Sequence, residues 1–364
     1  MKSDRRNSAK KIIQWIALIL LIAAIKIFSS HPLWVEYFYS VGLYAHVAKA
    51  LRIIFGWIPF SFGDILYFLA FCWIAWKIFK TLRLVFKKQL SLRGSLRKLL
   101  NVLFLLGVIY IMFYAFWGLN YDREGIAFQL QLEPDFYDTT DLFDLQNILL
   151  QKVNAAKSAV IKEEKNYPST AALIDAAKKS YEAADKKYPF LKYEVTSVKS
   201  SLYGSIGNYM GFTGYYNPFT GEAQINTTVP QMLRPYIATH EIAHQLGYAK
   251  ENSANFVGYL AAVSSPDTLF HYSAYLELFL YTNREIYYFD SSASDKNFDR
   301  LNPEVKKDIF ELREFNETHQ SFVEPMISWL YGNYLKLNNQ PKGLHTYNAV
   351  VGMLIAYYKK YGKI

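Results

Sequence analysis

His240 and His244 are spaced four residues apart, with Glu241 beside the first, in the run Thr239-His-Glu-Ile-Ala-His-Gln-Leu-Gly247. On a helix, residues four apart share a face, so both imidazoles can point at one metal ion. Glu241 then stands where its carboxylate could take a proton from an activated water. Leu233 and Ile237 carry helical spacing upstream, which predicts a helix through the motif.

A tetrahedral zinc site that keeps one position open needs a third protein ligand. Glu251 is the candidate, under a sharp constraint. On an unbroken helix it would lie ~16 Å along the axis from His240, too far to share an ion. The helix must therefore break, and Gly247 tolerates the left-handed backbone that a break requires. A second helix is predicted from near Glu251 to about Val263, ahead of Ser265-Pro266. Asn255 falls one turn beyond Glu251 and is expected to hydrogen-bond a liganding histidine. Cys72 is the one cysteine, so neither an internal disulfide nor a cysteine metal framework exists.

These residues must be held by the rest of a 364-residue chain whose two parts differ in kind. Residues 1–118 carry 16 Lys/Arg against Asp4, Glu36 and Asp64, a net of +13. The chain totals +9, which leaves −4 for residues 119–364. The basic residues flank apolar runs, as topology signals do, so nucleic acid is not an expected partner.

Three apolar runs, 12–28, 62–79 and 99–119, are predicted to cross a lipid bilayer. The first has a charged start but no small-x-small cleavage site near Ser29-Ser30-His31-Pro32, and reads as an uncleaved anchor. The N-terminal tail and the loop from Lys80 to Lys98 are rich in Lys/Arg, whereas Lys49 and Arg52 stand alone in the first loop. The positive-inside rule then places the N-terminus in the cytoplasm and residues 120–364 outside it, in the periplasm of a bacterium with two membranes. Val41 to Phe60, in the first loop, has helical spacing and should lie on the outer leaflet or pack beneath the outer domain.

The outer part reads as one α+β domain, mostly helical. Asp138-Thr-Thr140 caps a predicted amphipathic helix through Leu142, Leu145, Leu149 and Val153, and a second helix is expected from Ser169 to Lys187. Val195 to Thr228, rich in Gly, Tyr, Asn and Thr, reads as strands and turns. Helical patterns follow, including an Asn302-Pro303 start and a run near Tyr347 to Tyr358.

His240-Glu-x-x-His244 followed by Glu251-x-x-Ala-Asn255 resembles the zinc peptidases of the gluzincin type. More closely, the chain resembles an uncharacterised bacterial membrane family, domain-of-unknown-function family 3810. The matching segments are Trp117-Gly-Leu-Asn-Tyr121, Gly211 to Asn226, His240 to Ala249 and Tyr334-Leu-Lys336. Ser253 stands where that family's pattern carries a second Glu.

With the three apolar spans, the gluzincin resemblance implies an α+β, mostly helical chain of three transmembrane helices followed by a gluzincin-like domain with a small sheet. It also implies one Zn2+ per chain held by His240, His244 and Glu251, with Glu241 as general base. An edge strand before the active-site helix would pair with an extended peptide or protein substrate. Glu222, Ala223, Gln224, Ile225 and Asn226 are its candidates, with Gly214 to Gly221 as hairpin partner. The proton donor or oxyanion stabiliser is sought among His345, Tyr347, Tyr215 and Tyr216. The expected activity is peptide hydrolysis by a membrane-anchored zinc metallopeptidase. A zinc-locked interaction module and an amidase acting on cell-wall peptide are the alternatives.

Overall fold

The computed structural model describes residues 2–89, 91–340, 343 and 349–364. It is mostly helical with a small three-stranded sheet. Helix α1 spans Lys2–Ser29, and α2, Tyr44–Gly56, follows a π-helical stretch over Val35–Leu43. Helices α3, Phe62–Phe86, and α4, Leu92–Phe116, complete the N-terminal part. Ala9–Ser29 of α1, together with α3 and α4, are long and apolar enough to cross a membrane. Their large apolar side chains face outward, as with Ile13, Phe71 and Leu106.

These helices adjust two expected spans. The second run continues beyond residue 79 to Phe86, because Lys80 and Arg83 can extend toward the interface without ending the helix. The third begins at Leu92, earlier than expected, and stops at Phe116. Trp117 and Leu119, assigned to the span from their apolarity, instead leave it and are buried around a 3-10 turn at Gly118–Asp122.

Beyond residue 122 the chain forms α5 (Thr139–Lys162), α6 (Thr170–Asp185), β1 (Val198–Ser200), β2 (Gly214–Asn217) and β3 (Glu222–Ile225). Helices α7 (Arg234–Gln245), α8 (Glu251–Ser264), α9 (Thr268–Phe289), α10 (Glu324–Leu337) and α11 (Val350–Tyr361) follow, with shorter helices between some of them. Asp138 and Asp141 form a capping box on α5, and Ser169 caps α6. Leu145, Leu149 and Val153 on α5 share the main core with Tyr181 on α6, Ile242 on α7, Phe256 on α8 and Phe279 on α9. Asn302 caps the Pro303–Thr318 helix as its sequence suggests. A helix at Gly204–Met210 occupies a stretch expected to hold strands and turns.

The sheet order is β1-β3-β2, with β3 parallel to β1 and antiparallel to β2. This corrects the expected edge strand. Glu222, Ala223, Gln224 and Ile225 form the central strand, and all four are buried. Their main-chain groups are taken by neighbours on both sides, so they cannot pair with a substrate. Among the described residues the strand with an open side near the motif helix is β2.

The first loop packs against the C-terminal part of the chain, one of the two arrangements expected for it. Val35, Tyr39, Tyr44 and Ala48 bury against Tyr114, Trp117, Leu119 and Tyr121, and against Ala249 from the α7–α8 connection. Arg123 meets Glu36 in a buried two-pronged ion pair, Nε to Oε2 at 2.8 Å and Nη2 to Oε1 at 2.6 Å. Gly125 N and Gln129 Nε2 also donate to that carboxylate, so its lone pairs are satisfied. At the start of α3, Glu222 accepts hydrogen bonds from the main-chain N–H groups of Phe62 and Gly63. A strand of the sheet thus caps a membrane-type helix.

Candidate metal centre

Helix α7 places the histidine motif. Pro235 sits in its first turn, where no intrahelical N–H is needed, and Ser273 Oγ takes the N–H of Tyr236. The helix ends at Gln245, and its last carbonyls are buried, so they need donors. The Trp117 indole donates to the His244 carbonyl at 3.3 Å. Tyr44 Oη and Arg52 Nη1 donate to the Gln245 carbonyl at 3.1 and 3.0 Å, and Arg123 Nη1 to that of Gly247 at 3.1 Å. Every one of these donors comes from the first loop or from the chain leaving α4.

Gly247 makes the expected break. Its φ is +85°, and a Cβ there would stand 2.8 Å from the Tyr44 ring. The chain turns, α8 begins at Glu251, and the Glu251 carboxylate swings back over α7. Its Oε2 lies 3.3 Å from His240 Nε2 and 3.6 Å from His244 Nε2. Three ligands at ordinary zinc distances on a tetrahedron are separated by about 3.4 Å. The donor atoms of the three residues all fall within 4.8 Å of one another. Glu251 Oε2 is buried without a hydrogen-bond partner, which is how an oxygen reserved for a cation presents itself. The residues fit zinc.

Supporting groups fix two of the three. His244 Nδ1 lies 2.8 Å from the Tyr248 carbonyl, which sets the tautomer that turns Nε2 toward Glu251. Tyr331 donates to Glu251 Oε1 at 2.6 Å, and Gln340 Oε1 accepts from the Glu251 N–H. Among the described residues no hydrogen bond joins Asn255 to the Nδ1 of either histidine. The His244 Nδ1 is engaged by Tyr248, and the buried His240 Nδ1 has no hydrogen-bond partner among the described residues. Asn255 lines the cavity instead.

Charge in the site follows from its burial. Burial pushes the Glu241 carboxyl up to about 7, against the pull of the two imidazoles. Burial opposes charge on His244, but the Glu251 carboxylate outweighs it and carries the imidazole up to about 9. Glu251 itself, despite burial, is held well below the usual carboxylate range by the same two histidines. The field calls for positive charge where the three side chains converge.

Glu241 points toward β2. A Cβ at Gly214 would lie 2.4 Å from Glu241 Oε1, so glycine leaves the carboxylate its space against the open strand. A cavity of about 460 Å³ lies along this face, bounded by the His–His–Glu cluster, β2, Glu277 of α9 and Tyr331 of α10. Burial pushes Glu277 up to about 7 as well, giving the cavity a second carboxyl poised between forms.

Of the remaining sequence candidates, Tyr215 and Tyr216 line the cavity, whereas Gln224 and Asn226 do not. Gln224 reaches Ser61, and Asn226 ties Gly204 and Phe212 through its side-chain amide. Tyr215 donates to Asp64 Oδ1 at 2.6 Å, and the Tyr216 hydroxyl meets that of Tyr44 at 3.3 Å. His345 and Tyr347 lie outside the described residues. Tyr331, Glu277, Arg52 and Tyr44 were not anticipated at the site. Tyr331 sits three residues before the Tyr334-Leu-Lys segment, which was the nearest sequence signal for it.

Fold and site together define a mostly helical protein with membrane-type helices and a His–His–Glu cluster suited to one metal ion. A family model described as a protein of unknown function, DUF3810, matches residues 39–355. The chain belongs to this family. The match begins in the first loop and so includes the segment that caps α7. Neither the curated proteins nor the solved structures give a match.

Proposed function

We propose that the chain is a membrane-anchored zinc metallopeptidase whose catalytic part lies outside a bacterial cytoplasmic membrane. The observation that carries this reading is the convergence of His240, His244 and Glu251 within 4.8 Å, with the Glu241 carboxylate beside them facing an open strand. The cavity along β2 favours chemistry over a closed structural site, which would leave no room for a substrate. Zinc held by these residues supplies the Lewis-acid charge that polarises a peptide carbonyl. Glu241 takes the proton of the attacking water and passes it to the leaving amine. Burial, which raises its affinity for a proton, suits it to both halves of that transfer. The open edge of β2 would hold an extended peptide by main-chain hydrogen bonds. The charge pattern of the two flanking segments supports a cytoplasmic N-terminus and an outer catalytic part.

Glu241→Gln in the full chain tests this. The variant should keep one zinc per chain and lose about 10²- to 10⁴-fold in peptide cleavage. Full cleavage by the variant, or a wild type that binds no zinc, would overturn the reading.

A further inference from the structure

The cavity beside the metal cluster is walled in part by the membrane-type helices. Tyr67 of α3 and Phe113 of α4 line it together with Trp117. A 25-residue helix such as α3 is about 37 Å long, against about 30 Å of hydrocarbon, so its first turns reach the headgroup layer. Tyr67, five residues in, lies about 7 Å from that end, where headgroups meet hydrocarbon.

The open strand is fastened at the same depth. Asp64, in the first turn of α3, accepts from Tyr215 of β2 and, at 2.8 Å, from the Leu202 N–H. Its own carbonyl accepts from Tyr203 Oη at 2.8 Å. The Gly204–Met210 helix is thereby set against α3, and Ser321, just ahead of α10, donates to the Tyr209 carbonyl at 2.6 Å. Both segments turn apolar side chains outward: Leu202, just ahead of the first helix, and Ile206 on it are 56% and 60% exposed, and Phe322, just ahead of α10, and Trp329 on it are 93% and 68% exposed. These hydrogen bonds tie both segments to the first turn of α3, whose next turn exposes Leu66 and Phe68. A face that continues a bilayer-crossing surface is covered by the same bilayer.

Resting on the peptidase reading above, we infer that the Gly204–Met210 helix and α10 lie in the outer leaflet, and that the substrate is a polypeptide anchored in that bilayer. Its scissile bond lies within the first few residues outside the anchor. A segment beside its own anchor is held at the depth of β2, whereas a free peptide must partition there first. Anchoring supplies the effective concentration that brings it to the cavity.

The test uses the full chain in lipid nanodiscs, with Cys72→Ser and a single spin-labelled cysteine at Ile206, Trp329 or Glu182, an exposed α6 residue. Labels at 206 and 329 should collide with dissolved oxygen more than with a nickel chelate, and the label at 182 the reverse. Chelate access at 206 and 329 equal to that at 182 would overturn the placement. In parallel, one peptide is offered free and joined to a transmembrane anchor, in vesicles carrying the zinc-loaded chain. The anchored form should be cut at least ~10-fold faster, and Ile206→Asp with Trp329→Asp should erase that difference. Equal rates for the two forms in the wild type would overturn the substrate class. If neither form is cut, the peptidase reading falls and the substrate with it, while the labels still decide the placement.

Discussion

Tyr331 Oη donates to Glu251 Oε1 at 2.6 Å, which leaves Oε2 turned toward His240 and His244. The hydroxyl thus decides which carboxylate oxygen is offered to a metal. Tyr331→Phe should lower zinc affinity about 10- to 100-fold while leaving the fold intact. Competition with a chelating dye measures this. An unchanged affinity would show that Glu251 holds its orientation without the tyrosine.

Gly214 and Glu241 are coupled by space alone. Gly214→Ala would drive a methyl group against Glu241 Oε1, so the carboxylate must move off its position. Zinc stoichiometry should persist and cleavage fall about 100-fold, since small displacements at a reacting centre cost that much. Zinc content and turnover on one preparation separate this from loss of folding.

Gly247→Ala combines a left-handed backbone with contact against the Tyr44 ring. The backbone alone costs about 1–3 kcal/mol. Because this turn aims Glu251, metal affinity should fall together with the unfolding temperature. A variant that unfolds earlier yet binds zinc normally would uncouple the turn from the site.

The Glu36–Arg123 pair makes stability depend on pH. Burial works against charge on Glu36, and Arg123 more than offsets it, holding the carboxyl below its ordinary 4.5. A depressed folded value means the contribution is complete above 4.5 and is lost as pH falls through the folded value. Glu36→Gln should cost about 3–5 kcal/mol near neutral pH, because it strands a buried guanidinium. The gap between variant and wild type should narrow on acidification. Thermal unfolding across the acid range measures it, and a gap independent of pH would remove Glu36 as the titrating group.

The residues of the His–His–Glu cluster were legible because they lie close in sequence and obey helical geometry. His240 and His244 needed one turn, and Glu251 needed one glycine to break the helix. The sheet was not legible in the same way. Glu222, Gln224 and Asn226 alternate with apolar residues, as a half-exposed strand would. Their polar side chains are instead internal fastenings, with Glu222 spent on two N–H groups of α3 about 160 residues away in sequence. No local pattern announces a partner that distant. The same holds for Arg52 and Tyr44, whose partners on α7 lie about 200 residues further along. Trp117 was included in the third span because apolarity cannot distinguish a bilayer from a buried aromatic cluster.

The donors that finish α7 have a further consequence, in time rather than space. Tyr44, Arg52, Trp117 and Arg123 are all synthesised before the helix whose carbonyls they receive. A ribosome making this chain lays down the mould first, and the motif helix is cast against it when it emerges. Severing residues 120–364 would remove Tyr44, Arg52 and Trp117, three of the four donors, while keeping His240, His244 and Glu251. A soluble fragment of that kind would carry the motif but lack most of the surface on which it takes shape.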